Sequence, residues 1–253
     1  MSVWVTNIQR MCFDDGPGIR TTVFMKGCSL HCPWCSNPEN IGFGPEAYEK
    51  NGVGGIYGKE YLPAELEEIL LKDQKFWEPD GGVTFSGGEA FMQAEGLADV
   101  LERLKRKRVH IAAETALFVP EDQVSLVLPH IDYVIADIKI LERSACRSVL
   151  GGDIELYRKN VRTVHESGKL KLFRVPCCPE YTFTDDGRTR IWEFLQQYPD
   201  VPVQLFAIHD LGAGKYESLH RSMWKTKGME ERTLSEYCVN LRKEGISAEI
   251  IHI

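Results

Sequence analysis

Long apolar runs are missing from this 253-residue chain: none reaches the roughly 18 uncharged apolar residues that a membrane helix needs. The first residues, MSVWVTNIQRMCFDDGPG, lack the continuous apolar stretch of a secretory signal. The cytosol is therefore the expected compartment. Basic charge is in deficit, with 30 Lys and Arg against 37 Asp and Glu and a net charge of −7. A chain of that sign repels phosphate backbones, which argues against general nucleic-acid binding. No internal repeat, low-complexity tract or Pro/Ser linker interrupts the sequence. One domain over residues 1–253 is expected, and its 43% hydrophobic content excludes disorder.

Strand-like and helix-like segments alternate. Strands are predicted at Thr21–Gly27, Gly82–Gly87, Val109–Glu114, Asp132–Lys139, Leu170–Pro176 and Pro202–His209, with a short last one at Ser247–Ile253. Between them, apolar residues at helical spacing predict helices at Pro63–Lys75, Gln93–Arg108, Glu121–Leu128, Asp153–Ser167, Arg188–Tyr198 and Glu230–Glu244. Residues 36–62 carry the weakest pattern. Six main β/α units imply an α/β fold around a parallel sheet that either opens or curls toward a barrel. In both cases chemistry belongs at the C-terminal ends of the strands.

Eight cysteines are present, unevenly placed: Cys12, Cys28, Cys32, Cys35, Cys146, Cys177, Cys178 and Cys238. In a reducing compartment they remain thiols, and a chain this long buries enough surface to fold without cross-links. Cys28-Ser-Leu-His-Cys32-Pro-Trp-Cys35 follows a predicted strand directly. Three close thiols of this kind point to an inorganic group. Structural zinc takes four ligands, usually as two separated pairs, and no second pair is present. A [4Fe–4S] cluster normally takes four Cys. With three, one iron keeps an open position, the mark of a catalytic centre. The alternative is a structural zinc or cluster site completed by a distant thiol such as Cys12.

This spacing resembles that of the radical S-adenosylmethionine (SAM) superfamily. Upstream, Asp15-Gly-Pro-Gly-Ile-Arg20 is similar to the signature of its glycyl-radical-enzyme activating enzymes, and the likeness runs from Ile8 to about Gly214. The resemblance implies a partial (β/α)6 barrel of the radical SAM type, with parallel strands and outer helices. It implies that Cys28, Cys32 and Cys35 bind a [4Fe–4S] cluster whose open iron binds SAM. Reductive cleavage of SAM then gives a 5′-deoxyadenosyl radical. That radical removes a hydrogen from a backbone glycine of a partner, a glycyl radical enzyme. The electron would come from a flavodoxin or ferredoxin.

Further positions take roles from the same resemblance. Gly87, Gly88 and Glu89 would hold the SAM amino group, and bare glycine backbone allows that close approach. Ala90 stands where many relatives have Pro. Asp137 and Lys139 share a strand face and would lie beside SAM. Asp137 with Glu114-Thr115 would form a monovalent-cation site, although relatives carry Asp rather than Glu at the first of those two. Arg174 and His209 would contact SAM, Arg174 through a fork suited to carboxylates. Trp34 would lie near the adenine. Asp15 would position the target peptide. For these residues the plainer roles are a strand-to-helix turn, a strand-capping His209, packing by Trp34, a loop cap at Asp15 and a surface salt bridge at Arg20.

Other features carry less. Gly52–Gly58 (GVGGIYG) lacks the Gly-Lys-Ser/Thr ending of a phosphate loop. Cys146, Cys177, Cys178 and Cys238 suit packing. Lys105–Arg108 ends a helix, where cations favour the dipole, and a donor-docking role there is the lesser reading. Residues 36–80 hold no Cys, so a second cluster insert of the kind found in larger activating enzymes is not expected. A radical SAM enzyme of a small molecule, or a non-catalytic iron–sulfur or zinc-binding protein, are the competing functions.

Overall fold

Parallel β/α winding with buried, β-branched strands builds the centre of the protein. The computed structural model describes residues 1–77 and 79–252. Its nine-stranded sheet has the order β11-β10-β9-β8-β7-β6-β2-β1-β5. The parallel series comprises β2 (Arg20–Met25), β6 (Gly82–Gly87), β7 (His110–Thr115), β8 (Tyr133–Asp137), β9 (Leu170–Cys177) and β10 (Val203–Ala207), extended by β11 (Ala248–Ile250). These match the six predicted main strands within a few residues. The predicted last strand is shorter than expected, and Ile253 lies outside the described residues.

Four strands were not anticipated. β1 (Val3–Cys12) runs antiparallel to β2, and β5 (Lys59–Tyr61) antiparallel to β1. β3 (Glu46–Lys50) and β4 (Val53–Tyr57) form a separate hairpin, so residues 36–62 are more ordered than their composition implies. β5 and β11 end the sheet without pairing to each other, so the barrel stays open.

Helices cover the sheet because one stripe of each is apolar. On α2 (Ala94–Arg106) the buried residues Leu97, Val100, Leu101 and Leu104 recur at helical spacing. Its last turn is basic, and Lys105 grips the Asp132 carboxylate at 2.7 and 2.9 Å. Asp132 in turn accepts from the Ile111 N–H, which ties the helix end to the sheet. α1 (Pro63–Leu71), α3 (Glu121–Val127), α5 (Ile154–Glu166), α6 (Asp185–Leu195) and α8 (Glu231–Lys243) follow the predicted segments. A short turn, α4 (Arg143–Ala145), runs into one π-helical segment at Cys146–Leu150, and α7 (Ala213–Ser218) follows β10. No helix among the described residues is long and apolar enough to cross a membrane.

Arg20 corrects its plain reading as a surface salt bridge, for its side chain is fully buried. Its nitrogens donate to the carbonyls of Pro17 at 2.8 Å and Val83 at 2.7 Å, and to the Thr84 hydroxyl at 2.5 Å. Burial pulls its pKa down to about 10, with Asp15 opposing. The fork therefore pins the DGPG loop to β6. A Lys has one compact charge and cannot span three acceptors. Arg20→Lys should cost about 2–4 kcal/mol of folding free energy, read by denaturant titration. An unchanged midpoint would contradict this role.

Candidate active site

The C-terminal ends of the parallel strands open onto a cavity of about 510 Å³. Cys28, Cys32 and Cys35 all border it. Their loop leaves β2 through Gly27 and is held by backbone contacts: Gly27 N–H to Asn40 O at 2.8 Å, Cys28 N–H to Ile41 O at 3.0 Å and His31 N–H to Leu150 O at 3.0 Å. The last of these is made by the π-helical segment. Burial pushes the Cys28 thiol up to about 12 and the Cys32 thiol to about 11. All eight cysteines are free.

Among the described residues, no three His, Cys, Asp or Glu side chains are close enough to hold a single metal ion. Three thiols that share a cavity at wider spacing suit a larger group, in which each sulfur holds a different iron. The donor chemistry fits a [4Fe–4S] cluster. Cys12 also borders the cavity, but its thiol donates to Gln9 O at 3.6 Å and its charged neighbour is Asp15.

The same cavity is bordered by most of the residues singled out in the sequence: Trp34, Gly87, Gly88, Glu114, Thr115, Asp137, Lys139, Arg174, His209 and Asp15. Lys139 Nζ donates to Asp137 Oδ2 at 3.1 Å. Burial disfavours the Lys139 charge, yet Asp137 and the adjacent thiols hold it protonated beyond the ordinary lysine range. Trp34 is buried and packs 5.4 Å from the Tyr181 ring, so packing and cavity lining coexist. His209 Nδ1 accepts from the Leu211 N–H at 3.3 Å while its ring borders the cavity. Ser86 Oγ donates to Glu114 Oε2 at 2.6 Å, and Arg174 bonds the other oxygen. Burial pushes the Glu114 carboxyl up to about 7, while Arg174 pulls it back.

Glu89 departs from its expected place. It is fully buried and is not part of the cavity wall. Its Oε1 accepts from Thr115 Oγ1 at 2.7 Å and from the Phe91 N–H at 3.2 Å, and its Oε2 from the Ala116 N–H at 2.8 Å. The carboxylate braces the turn from behind, and of this segment Gly87 and Gly88 border the cavity. Burial pushes its pKa up against those bonds.

No motif or period points to the brace on the cysteine loop. Tyr216, on α7, donates to Cys35 O at 3.0 Å. Lys215 bonds Asn37 Oδ1 at 2.6 Å and Glu39 Oε1 at 2.7 Å, and Arg221 donates to Pro38 O at 2.8 Å. The helix is too short to show a period, which hides Lys215 and Tyr216 in the sequence. Buried Glu39 and Ser86 lie beside residues already marked, so proximity to the motifs was their one available signal.

A three-thiol centre at the mouth of a partial parallel barrel defines an iron–sulfur enzyme of the radical SAM class. Residues 14–139 match the family model of a 4Fe-4S single cluster domain. The chain is 32% identical to the pyruvate formate-lyase-activating enzyme of Clostridium pasteurianum, over 85% of this chain and 86% of that one. It is 31% identical to the pyruvate formate-lyase 2-activating enzyme of Escherichia coli, over 88% and 82%. The 4-hydroxyphenylacetate decarboxylase activating enzyme of Clostridioides difficile is 29% identical over 98% of this chain and 96% of its own. That alignment runs to 304 positions against 253 residues here, so the relative carries insertions this chain lacks. A solved domain of pyruvate-formate lyase-activating enzyme from Bacteroides vulgatus superposes with a TM-score of 0.56 at 25% identity, over 68% of this chain and 99% of that one. QueE from Escherichia coli shares the fold, with a TM-score of 0.62 over 100% and 95% of the two chains, at 11% identity. The chain belongs to the glycyl-radical-enzyme activating enzymes of the radical SAM superfamily, which use a [4Fe–4S] cluster and SAM.

Glu89→Gln should lower stability by about 1–3 kcal/mol, because amide hydrogens would face N–H and O–H donors. SAM affinity of the folded fraction, read by calorimetry, should change less than about threefold. A loss beyond about tenfold, or 1.4 kcal/mol, would restore Glu89 as a ligand contact.

Proposed function

We propose that this chain activates a glycyl radical enzyme, with residues 1–253 acting as one radical SAM core. One observation carries the reading: the three thiols and Asp15 of the DGPG loop border the same cavity. A cofactor wall and a peptide-entry wall thus share a single space. Cys28, Cys32 and Cys35 would hold the cluster. The backbone of Gly87 and Gly88, with Asp137, Lys139, Thr115, Trp34 and His209, would hold SAM. When bound, cluster and SAM together supply one electron and the group that abstracts the glycine hydrogen.

The chain's own contribution is positioning and exclusion of water and O2. Asp15 is fixed twice, by a hydrogen bond from the Thr22 hydroxyl to its Oδ2 and one from Thr84 Oγ1 to its carbonyl at 2.7 Å. Its carboxylate borders the cavity, where it would accept a backbone N–H from an incoming loop. Asp137 keeps the Lys139 ammonium oriented at the cofactor side. A flavodoxin or ferredoxin would supply the electron, and the cytosol is the compartment that suits an iron–sulfur centre of this kind.

The test is anaerobic. Loaded, reduced protein with SAM is mixed with candidate glycyl radical enzymes, and the partner's glycyl doublet is read by EPR. Asp15→Asn should lower radical yield at least about tenfold while leaving deoxyadenosine formation within about twofold. Full activation by Asp15→Asn would remove Asp15 from target positioning. Deoxyadenosine formation with no doublet on any partner would favour a small-molecule substrate.

A further inference from the structure

Glu114-Thr115 and Asp137 stand where activating enzymes of this family hold a monovalent cation, and their oxygens do not fit one. We infer that this enzyme works without a bound monovalent cation, because the Arg174 guanidinium occupies that ion's electrostatic place as a tethered charge. The inference rests on the SAM-binding reading of the cavity.

A Na+ or K+ site needs several oxygens with free lone pairs converging on one point. Glu114 Oε1 is bonded by Arg174 Nη1, and Oε2 accepts from Ser86 Oγ at 2.6 Å. Thr115 Oγ1 donates to Glu89 at 2.7 Å and accepts the Leu117 N–H at 2.9 Å, so it is committed behind the turn. Asp137 is paired with Lys139 at 3.1 Å. Each carboxylate therefore has a cation of its own. A free ion would meet two fixed positive charges, with Asp137 Oδ1 the one side-chain oxygen of this set that carries no hydrogen bond among the described residues.

The topology explains why Glu stands at position 114. Glu114 is on β7 and Arg174 on β9, with β8 between them. Neighbouring strands are about 4.8 Å apart, so the two backbones are separated by roughly 10 Å. Arg174 aligns with Asp137 on β8, and Glu114 with Ile135. The pair has to close over that middle strand. The extra methylene of Glu lengthens the reach that an Asp would give.

Arg174 is itself clamped. Its Nε donates to Gln204 Oε1 at 3.0 Å, and Gln204 Nε2 donates to Glu249 at 2.8 Å. Its Nη2 donates to the Asp14 carbonyl. The charge is therefore held from β10 and β11 and joined to the loop that carries Asp15. A free ion would supply charge to the cofactor side without anchoring the peptide-entry loop to it.

The test measures SAM binding to cluster-loaded protein by calorimetry at pH 8, in KCl, NaCl and choline chloride at equal ionic strength. The expected Kd agrees within about twofold across the three salts, and deoxyadenosine formation follows it. Affinity at least about fivefold tighter in KCl or NaCl than in choline chloride overturns the inference. Absence of SAM binding in all three salts overturns the functional reading and takes the inference with it. Glu114→Asp/Arg174→Gln removes the tether and shortens the acid. This variant is expected to bind SAM at least about fivefold tighter in KCl than in choline chloride. Equal binding in both salts would show that Arg174 was not standing in for an ion. The salt series on the unaltered protein decides the question if that variant fails to fold.

Discussion

Three backbone segments meet at Gly88 with no room for a side chain. A Cβ there would lie 2.3 Å from Gly27 O and 2.6 Å from Asn40 O. Main-chain hydrogen bonds close the junction: Gly88 to Met25 at 2.9 Å, Glu89 to Gly27 at 2.8 Å and Gly27 to Asn40 at 2.8 Å. The end of β2, the turn after β6 and the loop closing residues 38–41 become one rigid piece. The thiols ride on the first and the cavity-lining backbone of Gly87 and Gly88 on the second. Their mutual placement is therefore set by peptide geometry, which is stiffer than any side-chain contact.

Around that junction, charged side chains tie the loops that border the cavity to the rest of the fold. Arg20 holds the DGPG loop from below through carbonyls of Pro17 and Val83. Arg174 holds the same loop from the side through Asp14, while it neutralises Glu114. Lys215 and Tyr216 hold the other flank, on the segment between the third cysteine and Glu39. Unpaired, buried cations such as Arg20 and Arg174 would be costly. Arg20 and Arg174 are satisfied by carbonyls and a carboxylate and tie the DGPG loop to the sheet, while the half-buried Lys215 ties α7 to the loop after Cys35.

Much of the fold was legible because buried parallel strands and amphipathic helices leave strong periodic signals. Val83 and Phe85 on β6, or Val134 to Ala136 on β8, could hardly be read otherwise. β1 escaped because its alternation holds only over the first residues, Val3 and Val5 being buried, and then gives way to the exposed run Gln9, Arg10 and Met11. The β3–β4 hairpin escaped because its strands are short and mostly exposed, with Gly54 and Gly55 inside one of them. The cysteines, the double glycine and the Asp137/Lys139 pair were legible from spacing, since neighbours in sequence stay neighbours in the site. The orientation of Glu89 was not, because a turn can face its acid either way. Nor was the Glu114–Arg174 pair, whose partners are brought together by strand order alone.

The most direct measurement loads the protein with iron and sulfide under anaerobic conditions, reduces it, and records the EPR spectrum before and after SAM while deoxyadenosine is assayed. The account predicts a reduced [4Fe–4S] signal that shifts on addition of SAM, with deoxyadenosine formed. It also predicts that Cys35→Ala removes the cluster from a chain that still folds. A cluster whose spectrum is indifferent to SAM, or one that survives loss of Cys35, would contradict the reading of this cavity as a SAM-binding cluster site.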